Sequence, residues 1–186
     1  MNATYTTTTA RSVLTSERLV LRPVTIADAT EQYVRWLNDT TVHRYSEYRF
    51  VTHTIESARA YVERVCADEH VHFFAIVTRE GKRHIGNMKL GPIHPHHERA
   101  SFGIMIGERD AWGRGYATEA LALLEQYAFT ALGLHKLTAG AVAENAGSIR
   151  LLEKRGFTRE GVQREHFRDG DRFLDVVAFG KLRSDA

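Results

Sequence analysis

The stretch from Ile106 to Ala120 constrains the fold of this 186-residue chain more than any other segment. It reads Ile-Gly-Glu-Arg-Asp-Ala-Trp-Gly-Arg-Gly-Tyr-Ala-Thr-Glu-Ala. Its pattern is the end of a strand, a glycine turn and the start of an amphipathic helix. After Gly115, the residues Ala117, Ala120, Leu121, Leu124, Ala128 and Leu132 recur at helical spacing. Gly113 and Gly115 stand where that helix begins. A helix start leaves backbone N–H groups unpaired and carries the positive end of the macrodipole. Glycines let an anion approach that backbone closely, so the turn is a candidate phosphate or pyrophosphate cradle. The competing reading is an ordinary helix start with glycines for tight packing.

The residues around the turn narrow the ligand. A P-loop needs Gly-Lys-Ser/Thr after its last glycine, and that is missing here. A dinucleotide fingerprint needs Gly or Ala three residues after Gly115, where Thr118 stands. The pattern present is Trp112-Gly113-Arg114-Gly115-Tyr116-Ala117, followed by Thr118, Glu119 and Ala120. It resembles the acyl-CoA loop of the GCN5-related N-acetyltransferases (GNAT), in particular the RimJ/RimL branch. That family often has Arg or Gln where Trp112 stands.

A second segment points the same way. Asn145-Ala146-Gly147-Ser148-Ile149-Arg150-Leu151-Leu152-Glu153-Lys154-Arg155-Gly156-Phe157 resembles the other cofactor segment of that family. Asn145 suits an N-cap, Ser148 lies one turn later, and Gly156 suits a helix C-terminus. Read without the family, it is a capped helix. The two segments occur in the expected order, separated by one helix and one strand. The resemblance extends from about Glu17 to Leu182.

Composition sets wider limits. The length suits one domain with a sizeable core. Hydrophobic residues make up 43% and charged residues 26%, as in ordinary globular proteins. A formal net charge of +2, with no basic run interleaved with aromatics, argues against a nucleic-acid partner. Cys66 is the only cysteine, so no disulfide framework or cysteine zinc site is expected. No apolar run is long enough to span a membrane, and no apolar leader opens the chain, so a cytoplasmic location is expected.

The segments order as follows. Residues 1–16 are polar and threonine-rich and read as a flexible tail. Residues 17–183 read as a single domain. Residues 17–22 form a first strand, and Thr25 caps a helix to about Asn38. Thr54 caps a second helix with Ile55, Ala58, Val62 and Val65 on one apolar face. Strands follow at 72–78, 83–90, 99–107 and 135–143, with a loop at 92–97. A hairpin at 161–168 and 172–182 turns at Asp169-Gly170. This order, βααβββαβαββ, implies an α/β (α+β) class: a mixed, mostly antiparallel sheet flanked by helices. That is also the acyl-CoA N-acyltransferase fold that the resemblance implies.

The resemblance implies acetyl transfer from acetyl-CoA to a primary amine in a ternary complex, with no metal. It assigns the pantetheine arm to the strand at Ile104, Met105 and Ile106. The pyrophosphate falls to the turn from Trp112 and Gly113 through Arg114, Gly115, Tyr116 and Ala117 to Thr118. It assigns the pantetheine amide to Asn145 and turns Arg150 toward the phosphates. Many relatives carry a Tyr general acid where Leu152 stands here, and Leu has no proton to give. Ser148 is the replacement candidate as both cofactor ligand and catalytic donor to the departing sulfur; the alternative is that it satisfies a helix end. The general base is open between Glu98, Glu165 and a water chain. Residues 39–53, with Tyr45 and Arg49, either border the acceptor pocket or face solvent. His94, His96 and His97 read as an exposed loop. The acceptor is a protein N-terminus, as in the RimJ/RimL relatives, or a small amine such as an amino sugar nucleotide. A non-catalytic acyl-CoA sensor is the reading from another class. A homodimer is compatible with all of these.

Overall fold

The computed structural model describes residues 13–186. The chain runs through β1 (Leu14–Thr15), β2 (Leu19–Pro23), α1 (Glu31–Asn38), α2 (Ile55–Ala67), β3 (His72–Thr78) and β4 (His84–His94). It continues through β5 (Arg99–Ile106), α3 (Tyr116–Gln126), β6 (Lys136–Val142), α4 (Ala146–Lys154), β7 (Thr158–Asp169) and β8 (Arg172–Leu182). The strands form one sheet in the order β1-β2-β3-β4-β5-β6-β8-β7. Every neighbouring pair is antiparallel except β5 and β6. The architecture is therefore the mixed, mostly antiparallel sheet flanked by helices expected from the sequence.

β3 shows why the sheet is covered on both faces. Its sequence, His-Phe-Phe-Ala-Ile-Val-Thr, is almost continuously apolar, as a strand buried on two sides must be. Phe73 and Ala75 join a cluster with Tyr33, Trp36, Val62 and Val65 of α1 and α2. Phe74 and Ile76 point the other way, into a cluster with Leu121 and Leu124 of α3 and Leu152 of α4. The alternation of side chains along one strand thus assigns the helices to two layers.

Several boundaries differ from the sequence reading. Leu14 and Thr15 pair with Leu21 and Val20, so sheet structure begins inside the segment read as a tail. The rest of that segment, residues 1–12, lies outside the described residues. The single helix expected from Thr25 to Asn38 is broken in two. Thr25 opens a 3-10 turn (Ile26–Asp28), and Thr30 then caps α1, accepting from the Tyr33 N–H at 3.3 Å. The chain leaves helical geometry at Ala29 (φ −76°, ψ 72°) and Thr30 (φ −103°, ψ 168°), and Thr30 starts the new helix. Within the 3-10 turn the Asp28 carboxylate accepts from the Thr25 N–H (2.8 Å) and from both guanidinium ends of Arg22 (2.8 and 2.6 Å). The expected loop at 92–97 shrinks to a turn at Pro95–His97. β4 runs through Pro92 because a register shift between Leu90 and Ile93 accommodates a residue that cannot donate to the ladder. The long third helix loses α geometry after Gln126 and finishes as a wider π turn, Tyr127–Ala131.

Asp28 also provides a pH test. Burial works against its charge, but the bonds from Arg22 and Thr25 outweigh that and pull its carboxyl from 3.8 to about 2. A depressed folded-state value contributes stability above the unfolded pKa, and the contribution disappears as pH falls from about 4 to about 2. Asp28→Asn is expected to lower the melting temperature at pH 7 and to flatten its decline across that acid window. Parallel acid limbs for variant and wild type would show that Asp28 has no such role.

Candidate active site

The site begins where two strands part. β5 and β6 pair only at Arg99↔Lys136, Ala100↔Leu137 and Ser101↔Thr138. Beyond these positions β5 follows β4 to Ile106, while β6 follows β8 to Val142. The facing edges of Phe102–Ile106 and Ala139–Val142 have no ladder between them, which leaves main-chain donors and acceptors available. The Ile106 carbonyl accepts from the Trp112 indole N–H at 2.7 Å, so it faces this free edge. Strand alternation puts the backbone groups of Ile104 on the same edge and those of Met105 toward β4. The side chain of Met105 packs against the α1–α2 layer, whereas Ile104 and Ile106 pack against the opposite one.

Because β5 and β6 are parallel, their C-terminal ends lie at the same end of the sheet. The β5–α3 and β6–α4 connections both emerge there, which is where open α/β sheets hold ligands. The fold therefore brings the two motifs to one mouth. In the first connection, Gly113 and Gly115 have φ of +71° and +79°. A Cβ at Gly113 would meet nothing within 4 Å, and one at Gly115 only Arg18, at 3.5 Å. These glycines are needed for backbone conformation, and the space in front of them is open. Gly115 caps α3 with no side chain, and the first helical bond is Glu119 N–H to the Gly115 carbonyl (3.1 Å). Among the described residues, no acceptor takes the N–H groups from Gly113 to Thr118. Arg114 is exposed, while Tyr116, Ala117 and Thr118 are half-buried.

Sequence reading missed the partners of this turn. Glu119, in the first turn of α3, accepts from Ser16 Oγ (2.7 Å), Arg18 N (2.9 Å) and Arg18 Nε (2.7 Å). Burial disfavours its charge, but these bonds prevail and hold its carboxyl below the usual range. Arg18 also donates to the Arg114 carbonyl at 3.0 Å and lies over the Tyr116 ring. No local pattern links residues so distant in sequence. Gly107 is similar: a Cβ there would land inside the Trp36 indole, a close approach invisible before folding.

In the second connection, Asn145 Oδ1 accepts from the Ser148 N–H at 3.1 Å. The helix end is thus capped by Asn145. The Ser148 hydroxyl is half-buried and makes no hydrogen bond among the described residues. Arg150 is exposed. Leu152 is buried in the core, so its position offers neither a proton nor access.

The α1–α2 connection crosses the mouth. It starts beside β5, where the Trp36 indole donates to Glu108 at 2.9 Å. It ends against β6 and the hairpin tip. There Tyr45 Oη donates to the Glu144 carbonyl (3.3 Å), and Arg49 reaches Asp169 Oδ1 (3.1 Å) and the Arg168 carbonyl. Arg49 also lies over Phe167, which clusters with Val142, Leu174 and Tyr45. Of the two readings of residues 39–53, the solvent-facing one does not hold for Tyr45 and Arg49. A cleft of about 610 Å³ lies between α1 and the β5–α3 connection, lined by Trp36, Asp39, Gly107, Glu108 and Asp110. A smaller apolar cavity of about 270 Å³ lies under the connection, among Tyr33, Tyr48 and Tyr61.

The general-base candidates separate. Glu98 stands at the start of β5, where its carbonyl receives the N–H groups of His135 and Lys136. The length of β5, roughly 25 Å at strand rise, removes it from the mouth. The histidine turn at 94–97 shares that far end. Glu165 lies on a β7 bulge level with the end of β6, at φ +52°, with its N–H bonded to Asp175 (2.8 Å). Among the described residues, no group of three metal-ligating side chains converges.

Residues 18–158 match the model of the acetyltransferase (GNAT) domain. The chain is 31% identical over 175 residues to the uncharacterized N-acetyltransferase p20 of Bacillus licheniformis, covering 92% of this chain and 97% of that one. It is 33% identical over 121 residues to the spermidine N(1)-acetyltransferase of Vibrio cholerae, covering 63% and 69%. A crystal structure of Vibrio cholerae spermidine N-acetyltransferase in complex with CoA and spermine resembles it with a TM-score of 0.82 at 26% identity, over 91% of this chain and 98% of that one. An open strand edge suits the amides of acetyl-CoA, and an uncapped helix start suits its phosphates. The chain belongs to the GNAT family and is an acetyl-CoA-dependent N-acetyltransferase.

Proposed function

We propose that the protein transfers acetyl from acetyl-CoA directly to a small primary amine. The carrying observation is the α1–α2 connection, which Tyr45 and Arg49 fasten to the β6–α4 turn and the hairpin tip. A wall at the mouth suits a short acceptor better than the protein N-terminus of the RimJ/RimL reading. The spermidine acetyltransferases among the similar proteins support the same choice.

The N–H groups of Gly113 to Thr118, with Arg114 beside them, bind the pyrophosphate, and Arg150 faces the phosphates. The free edge at Ile104 and Ile106 and the Asn145 side chain hold the pantetheine amides. The amine loses its proton to water or Glu165, its nitrogen bonds to the acetyl carbon, and the carbon–sulfur bond breaks. Ser148 donates a hydrogen bond to the departing sulfur. That its hydroxyl has no partner among the described residues, while Asn145 caps the helix, supports this role.

Three measurements test this reading. Thiol release should be detected with a panel of polyamines and amino sugars and be absent with peptides bearing free N-termini. Turnover of peptides alone would overturn the acceptor class, and no turnover with any amine would favour the sensor. Gly115→Asp is expected to weaken CoA binding at least about tenfold, because a carboxylate would face the pyrophosphate, and to lower the melting temperature modestly, because a side chain at φ +79° is strained. Unchanged affinity in a folded variant would make the turn purely structural. Ser148→Ala should lower kcat about 10- to 100-fold, or roughly 1.4–3 kcal/mol of barrier, with acetyl-CoA affinity and melting temperature retained. Wild-type kcat would remove Ser148 from the chemistry.

A further inference from the structure

The glycine turn presents an electrostatic problem. A carboxylate in the first turn of a helix favours the positive end of the macrodipole while that end is empty. The same carboxylate repels an anion arriving there. Glu119 is such a residue, four positions after Gly115. Arg18 comes from the β1–β2 connection, on the far side of the fold in sequence. It reaches Glu119 with Nε at 2.7 Å and Nη2 at 2.6 Å, and its own N–H reaches the other carboxylate oxygen at 2.9 Å. Its third guanidinium nitrogen, Nη1, covers the Arg114 carbonyl at 3.0 Å, an acceptor inside the glycine turn. Each guanidinium nitrogen therefore already has a protein acceptor. Arg79 steadies the donor side, with Nη1 on the Ser16 carbonyl (3.1 Å) and its N–H on the Arg18 carbonyl (2.8 Å).

We propose that Arg18 is a positioning residue for acetyl-CoA: it cancels the charge of Glu119 and covers the Arg114 carbonyl, so that the pyrophosphate meets an electropositive turn. The inference rests on the assignment of Gly113–Thr118 to the pyrophosphate. It differs from a direct phosphate contact in one consequence. If Arg18 acts by compensation, removing Glu119 as well should make Arg18 dispensable.

The experiment is a double-mutant cycle on the full chain, read by calorimetry with CoA and with pantetheine, which lacks the pyrophosphate. Arg18→Ala should weaken CoA binding about tenfold, equivalent to about 1.4 kcal/mol. Pantetheine binding should be unchanged, and kcat at saturating acetyl-CoA should be retained. Arg18→Ala/Glu119→Gln should return CoA affinity to within about threefold of wild type. The Arg18→Ala deficit should also shrink as salt rises, since a charge effect is screened. CoA affinity unchanged in Arg18→Ala, or a double variant as weak as Arg18→Ala, would overturn the proposal. If Arg18→Ala does not fold, Arg18→Gln and Arg18→Gln/Glu119→Gln give the same comparison. Gly115→Asp serves as the control. If it binds CoA normally, the pyrophosphate assignment fails and the proposal fails with it. If it binds weakly while Arg18→Ala does not, only the role of Arg18 is lost.

Discussion

The site depends on a parallel strand pair that stops pairing after three residues. β5 and β6 are held together at Arg99, Ala100 and Ser101 and then drawn apart, each by its other neighbour. Parallel pairing sends both following connections to one end of the sheet, and the early parting leaves main-chain groups open between them. A fully zipped pair would have satisfied those groups within the protein. Trp112 closes one of them, the Ile106 carbonyl, and so marks where the open edge meets the glycine turn.

The two helical layers hold this opening in shape. At the ends of α3 and α4 remote from the mouth, Glu125 is buried beneath two cations. Lys181 of β8 lies at 2.8 Å and Arg155, at the end of α4, at 2.7 Å. Lys181 also donates to the Arg155 carbonyl at 2.8 Å. These bonds join the two helices whose N-termini flank the opening to the strand beneath them. Such a buried set has little net worth when complete, but loss of one member strands a charge in the core. On the other face, Trp36 packs against Gly107 and ties α1 to the end of β5, and the chain that follows reaches across to the end of β7 at the hairpin tip. The acceptor side is therefore built by long-range contacts of a segment without regular structure over much of its length.

Local signals in the sequence correspond to local physics and were readable where no distant group intervenes. The apolar period of α2, the caps at Thr54 and Asn145, and the positive-φ glycines at 113, 115 and 156 all appear where turn and helix chemistry put them. The boundaries differ at junctions between elements: the helix expected from Thr25 is interrupted where Ala29 and Thr30 leave helical geometry, and Thr30 caps a new one. Glu98, a base candidate by its strand position, stands at the start of β5, at the end of the sheet remote from the mouth.

The sequence alone determined the class of fold, the strand-turn-helix unit, the capped second helix and the family they resemble, because backbone preference and apolar period are properties of neighbouring residues. Only the tertiary structure decided that β5 and β6 part, that Tyr45 and Arg49 turn inward, and that Arg18 meets Glu119. Those outcomes depend on which strands become neighbours, and contacts between residues about a hundred positions apart leave no periodic trace in a single chain.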